Sequence, residues 1–167
     1  EIHKFLKNED EISVCDDSRN KYTKYDYKCY EGDICPESHK FLIGRECNDM
    51  CPDNQFAVPN VLGNENENES PKEYKCENYC TNSQYLSYYE KDKICIKKCK
   101  DEDYKIQGTN ICIKSCNDIK TEDPNEIYYF YEPKDEDSKI KEKTCVLECP
   151  IDKPFIDIDN KCEVKIS

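Results

Sequence analysis

Fourteen cysteines in 167 residues constrain this chain more than any other feature. Ten of them form five C-x-x-x-C pairs, at 47/51, 76/80, 95/99, 112/116 and 145/149. The flanking text is alike each time: GRECNDMCP, EYKCENYCT, DKICIKKCK, TNICIKSCN and EKTCVLECP. Repetition at a period of roughly 20–35 residues marks a tandem array rather than one globule.

Each repeat continues in the same way. A few polar residues follow the second cysteine, then an aromatic, as at Phe56, Tyr85, Tyr104 and Phe155. Short alternation comes next (YKI at 104–106, FIDID at 155–159), then a turn signal (IGR at 43–45, QGTN at 107–110, IDN at 158–160). The next cysteine closes the unit. This pattern predicts a β-hairpin with a cysteine at each end. An isolated hairpin is marginal in water. Antiparallel arms bring their ends within the Cα separation of about 4.4–6.8 Å that a disulfide needs. The expectation is a consecutive ladder: Cys15–Cys29, Cys35–Cys47, Cys51–Cys76, Cys80–Cys95, Cys99–Cys112, Cys116–Cys145 and Cys149–Cys162, which uses every cysteine. An overlapping 1–3, 2–4 pairing between neighbouring modules is the open alternative, because spacing alone does not settle connectivity. Zinc ribbons favour two-residue spacing with histidines. Here the spacing is three, and the histidines are His3 and His39 alone. No pair has the C-x-x-C spacing of a redox motif.

Composition explains why such staples are needed. Ile, Val, Leu and Phe make up less than a fifth of the chain, and the formal charge is −12. That combination normally leaves a chain disordered, since too little apolar area is buried to offset chain entropy. Cysteines at this density belong to an oxidising compartment, so the chain is expected to be extracellular or on a cell surface. It starts at Glu1 rather than Met and has no long apolar run. It therefore reads as a mature product or an excised ectodomain piece with no membrane insertion. Its acidity excludes nucleic-acid partners, whose phosphates it would repel.

CIKKC, CIKSC and CVLECP, each followed by a hairpin pattern and a closing cysteine, resemble furin-like, growth-factor-receptor-type cysteine-rich modules, most of all the one-disulfide variety. The resemblance covers about residues 35–162. It implies that the second cysteine of each pair bonds the next one downstream, in agreement with the consecutive ladder. It also implies stacking into extended rods, as in receptor ectodomains and many protist surface proteins. The Lys, Asn, Glu, Tyr and Ile bias resembles proteins of AT-rich unicellular eukaryotes. The Cys-Pro step is kept only at 35–36, 51–52 and 149–150, and CYEGDIC (29–35) has a five-residue gap in place of three.

The expected organisation is a lead-in with the first disulfide module at 1–34, then a module at 35–75 whose NENENES segment (64–70) reads as a mobile loop. Two short hairpins at 76–111 follow, then a module with a long Tyr-rich loop at 112–144 and a C-terminal module at 145–167. In that long loop the charged run KDEDSKIKEK (134–143) reads as a solvated, flexible tip. Just before it, Tyr128, Tyr129, Phe130 and Tyr131 form the leading candidate contact surface. Alternation would put Tyr129 and Tyr131 on one face and Tyr128 and Phe130 on the other. One face would cover disulfides and the other would meet protein or glycan. Tyr88 and Tyr89 pose the same question. Asn68-Glu69-Ser70 is an N-glycosylation sequon. Asp157, Asp159 and Asn160 could offer oxygens to calcium, but a hairpin turn explains them equally, and no metal or other cofactor is expected. No nucleophile–base arrangement or phosphate-binding loop is legible, so no catalytic residue is expected.

The expected fold is a small disulfide-rich one: an elongated tandem array of short β-hairpins with little regular structure and no single large core. The expected function is non-enzymatic. The chain would be a structural or adhesive segment of a surface or matrix protein, a spacer or assembly rod able to form filaments with other protein subunits. The alternative is a receptor or adhesin ectodomain that binds a host or matrix protein, or a glycan.

Overall fold

The computed structural model describes residues 35–60, 70–138 and 140–165, and the backbone of strands 21–23 and 28–30. The chain divides into two units: residues 1–85 with 93–95, and residues 86–92 with 96–167. The fold is small, β-rich and disulfide-stapled. Its strands are two to four residues long: β1 (Lys21–Thr23), β2 (Lys28–Tyr30), β3 (Phe41–Ile43), β4 (Glu46–Asn48), β5 (Phe56–Pro59), β6 (Tyr74–Glu77), β7 (Tyr104–Ile106), β8 (Cys112–Ile113), β9 (Tyr129–Tyr131), β10 (Thr144–Val146), β11 (Phe155–Ile156) and β12 (Cys162–Glu163).

Consecutive strands pair as antiparallel hairpins. The turns form where the sequence supplies residues that tolerate a left-handed backbone: φ is 59° at Gly44, 75° at Gly108 and 60° at Asn160. Lys93 adopts it too, at 49°, without a sequence signal.

Hairpins join by a second, regular rule. In the first unit Tyr22, Leu42 and Ala57 each face a cysteine of their own hairpin (Cys29, Cys47 and Cys76). On the other side each pairs in parallel with the residue just before the next hairpin's cysteine: Glu46, Lys75 and Ile94. The product is a six-stranded sheet ordered β2-β1-β4-β3-β6-β5. The second unit repeats the rule, with Tyr88 on Ile111, Lys105 on Thr144 and Phe130 on Lys161. The hydrogen bonds recur as well. Ala57, Tyr88, Lys105 and Phe130 donate their amides to the carbonyls of Lys93, Asn110, Lys143 and Asn160, at 2.9–3.0 Å. Parallel pairing of adjacent modules satisfies the outward backbone groups that a lone hairpin would leave to water.

Six disulfides cross-link the described residues: Cys35–Cys47, Cys51–Cys76, Cys80–Cys95, Cys99–Cys112, Cys116–Cys145 and Cys149–Cys162. These are consecutive pairs and not the overlapping alternative. Cys15–Cys29 lies outside the described residues. The cysteines do not sit at both ends of a hairpin, as the sequence pattern implied. The closing cysteine lies within the second arm, as Cys47 does in β4 and Cys145 in β10. The opening cysteine precedes the first arm and is followed by a tight turn. In that turn the carbonyls of Pro36, Pro52, Lys100 and Pro150 accept from the amides of His39, Gln55, Asp103 and Lys153. Proline fits this first turn position because only its carbonyl is used there.

Buried apolar side chains gather in small separate clusters that include sulfur: Cys35 with Leu42 and Cys47, Tyr104 with Cys116 and Cys145, and Tyr131 with Val146 and Cys162. The run expected to be a solvated tip is exposed at 134–137 and 141–142, with two inward-turned exceptions. Ser138 is buried, and its hydroxyl accepts from the amides of Lys134 and Asp135. Ile140, just beyond, packs on the Tyr131 cluster.

A Cβ added at Gly108 would meet no atom within 4 Å, so only its backbone conformation is at stake. Gly108→Ala should therefore lower stability by about 1 kcal/mol in urea unfolding of the oxidised protein. An unchanged midpoint would contradict the left-handed turn.

Candidate functional site

The aromatic stretch in β9 alternates as its sequence predicts, but both faces are occupied. Phe130 meets Tyr104 edge-on, with ring centroids 5.1 Å apart, and Tyr128 packs on the same cluster. Tyr129 and Tyr131 point to the other side. Tyr131 has no exposed surface, which corrects its assignment as a contact residue. Its ring fills the space over Val146 and Cys162, and its hydroxyl donates to Asp152 Oδ2 at 2.6 Å. Tyr128, Tyr129 and Phe130 are half-buried.

The Tyr131 hydroxyl belongs to a repeated arrangement that sequence reading missed. Tyr89 donates to Asp103 Oδ2 at 2.5 Å, and Tyr104 donates to Glu132 Oε1 at 2.9 Å. In each case a tyrosine from one hairpin's first arm reaches a carboxylate that leads into, or lies along, the next hairpin. Three successive junctions of the second unit are clasped in this way. In the first unit a carboxylate serves a backbone instead. Buried Glu73 accepts from the Cys35 amide at 2.7 Å and from Asn60 Nδ2 at 2.5 Å. The sequence carried no usable signal, since Tyr and acidic residues are abundant throughout and only the register singles these out.

Lysines complete several junctions from above the rings. Lys93 Nζ lies 5.8 Å from the Phe56 centroid, Lys100 Nζ 5.7 Å from Tyr89 and Lys143 Nζ 4.9 Å from Tyr104. Each is a cation–π contact between neighbouring hairpins. Lys40 Nζ sits 5.8 Å and 5.5 Å from Phe41 and Tyr74, two rings stacked at 5.4 Å. Lys143 and Lys161 also approach Glu132, at 3.7 Å and 3.9 Å.

The electrostatics follow. Burial, then the bond to Asp103, pushes the Tyr89 hydroxyl up to about 12. Burial and Glu132 push Tyr104 up, and burial and Asp152 do the same for Tyr131. The Tyr104 hydroxyl, with the nearby lysines, holds Glu132 below the usual carboxylate value. Such pairs hold protons firmly at neutral pH, which suits clasps and not proton transfer.

The remaining candidates resolve into turns or fall outside the described residues. Asp157 Oδ1 accepts from the amides of Asp159 and Lys161, at 2.8 Å and 2.9 Å, so it shapes the last turn. Among the described residues no group of three His, Cys, Asp or Glu side chains could hold a metal. Tyr88 is half-buried and bridged to Ile111. Half-buried His39 contacts Ser38 Oγ at 2.9 Å. Asn68 and His3 lie outside the described residues. Among the described residues no helix is long and apolar enough to cross a membrane.

Among the described residues an apolar surface lies open at β11. Along β11, Phe155 and Ile156 are 41 % and 45 % exposed and Ile158 is 98 % exposed, beside a groove of about 470 Å³. No family model, no curated protein and no solved structure matches this chain.

The raised tyrosines predict a two-step alkaline titration. A hydroxyl whose value is raised on folding stabilises the fold fully below its unfolded value near 10, and that contribution is lost as pH climbs through the raised value. Absorbance at 295 nm should show a first wave near the ordinary tyrosine value of about 10. Tyr89, pushed up to about 12, and the raised Tyr104 and Tyr131 should follow at higher pH, with loss of folded circular dichroism. Tyr131→Phe should cost about 1–2 kcal/mol, since it removes one hydrogen bond to a carboxylate. A single wave near pH 10 with disulfides intact would contradict the clasps.

Proposed function

We propose that this chain is a non-enzymatic, extracellular segment of a cell-surface or matrix protein of a unicellular eukaryote. It is built from furin-like, growth-factor-receptor-type cysteine-rich modules and spaces, adheres or assembles other components. The observation that carries this reading is the repeated junction: one parallel backbone register and one disulfide per hairpin, applied again and again. Regular stacking of small modules is how repeat proteins gain length without a large core. Six disulfides support an oxidising compartment. The distinctive aromatic and acidic side chains are spent on joining modules, which favours a scaffold over a reaction centre. The receptor alternative has lost Tyr131 from its proposed contact surface.

Immunogold microscopy of the producing cells, with non-reducing peptide mapping of the extracted protein, tests this. We expect label outside the plasma membrane and the six consecutive linkages in the native material. Cytosolic label with alkylatable thiols would overturn it.

A further inference from the structure

A hollow of about 460 Å³ opens inside the second unit, where three hairpins meet. That size falls in the range of about 300–1,000 Å³ usual for small-molecule sites. Tyr104 of β7 and Phe130 of β9 form its apolar wall, the two rings set edge to face. Asn117 enters from the short helical turn Cys116–Asp118. Asp159, Asn160 and Lys161 enter from the turn between β11 and β12.

The backbone under these polar groups is fixed. Ser115 Oγ accepts from the Asn117 amide at 3.3 Å. Asp157 Oδ1 holds the amides of Asp159 and Lys161, and the Phe130 amide donates to the Asn160 carbonyl at 2.9 Å. The side chains are unspent. Those of Asn117, Asp159 and Asn160 make no hydrogen bond or ion pair with any other described residue. Other turns use such groups internally: the side chains of Asn82, Asp123 and Asp135 each accept from a backbone amide two positions on. A fixed frame that presents unspent donors and acceptors beside a ring is preorganised for a ligand.

We propose that this hollow binds a neutral pyranose unit of a glycan. A pyranose has a face of C–H groups and a rim of hydroxyls. The aromatic wall meets the C–H face through dispersion. The Asp159 carboxylate accepts from neighbouring hydroxyls, and the two carboxamides both donate and accept. Other ligand classes fit less well. An anionic one meets Asp159 in a chain of net charge −12, and the hollow's cation, Lys161, already faces Glu132 at 3.9 Å. A wholly apolar one would desolvate three polar side chains without pairing them.

This inference deepens the adhesive part of the proposed function and rests on that reading, but its test does not depend on cellular location. Methyl glycosides of glucose, galactose, mannose and N-acetylglucosamine are titrated into the oxidised, nitrogen-15-labelled protein and followed by NMR. At least one should shift the side-chain amide resonances of Asn117 and Asn160 saturably, with a dissociation constant on the order of 1 mM. The four should differ by about fivefold or more, because fixed groups read hydroxyl orientation. Asn117→Ala with Asp159→Ala should weaken binding by about tenfold or more, the loss of one or two hydrogen bonds. The remaining amide spectrum of that variant should be unchanged, which separates a lost site from a lost fold. No saturable shift with any of the four, equal shifts with all of them, or binding unaffected by the double variant would each overturn the site. The extracellular assignment, tested by immunogold label, would stand.

Discussion

The structure depends on a covalent link between the second arm of each hairpin and the segment that leads into its first arm. Strands of two to four residues cannot hold register by hydrogen bonding alone. Each link closes a loop spanning 12 to 29 positions. In the chain-entropy model each such closure contributes on the order of 3 kcal/mol by restricting the unfolded chain. The clusters around Leu42, Tyr104 and Tyr131 are too small to replace it, and cysteine sulfurs form part of each.

The three-residue spacing of the cysteine pairs connects one module to the next. The first cysteine of a pair sits in a second arm, and the other opens the next loop after a short bend. Modules joined by this spacing enter the next in the same way, and the parallel register repeats. The tyrosine–carboxylate clasps then fix side chains across junctions that the backbone has already aligned. Each places a desolvated hydroxyl against an acidic group, which gives direction and specificity where a hydrophobic interface is lacking.

What the sequence revealed followed from local, periodic signals. The hairpin pattern between cysteines favoured the consecutive pairs over the overlapping ones, and Gly44, Gly108 and Asn160 marked turns that need a left-handed backbone. Alternation placed Tyr129 with Tyr131 and Phe130 with Tyr128. Exposure was not legible, because it depends on which module lies beside each face. Tyr131 looked like a contact residue and is buried, since Asp152 and Ile140 arrive from later in the chain. The parallel pairing of Ala57 with Ile94 and of Phe130 with Lys161 was equally hidden. It joins residues through backbone atoms, which every residue carries. Lys93 shows a further limit: its left-handed turn has no glycine or asparagine to announce it.

The central claim is that consecutive disulfides, and not an apolar interior, keep this chain folded. The most direct test compares amide dispersion in proton–nitrogen NMR spectra before and after complete reduction and alkylation under otherwise native conditions. The account predicts that the dispersed spectrum collapses to that of an unfolded chain, because no core remains to offset the released entropy. A reduced, alkylated protein that keeps its dispersed resonances would contradict it.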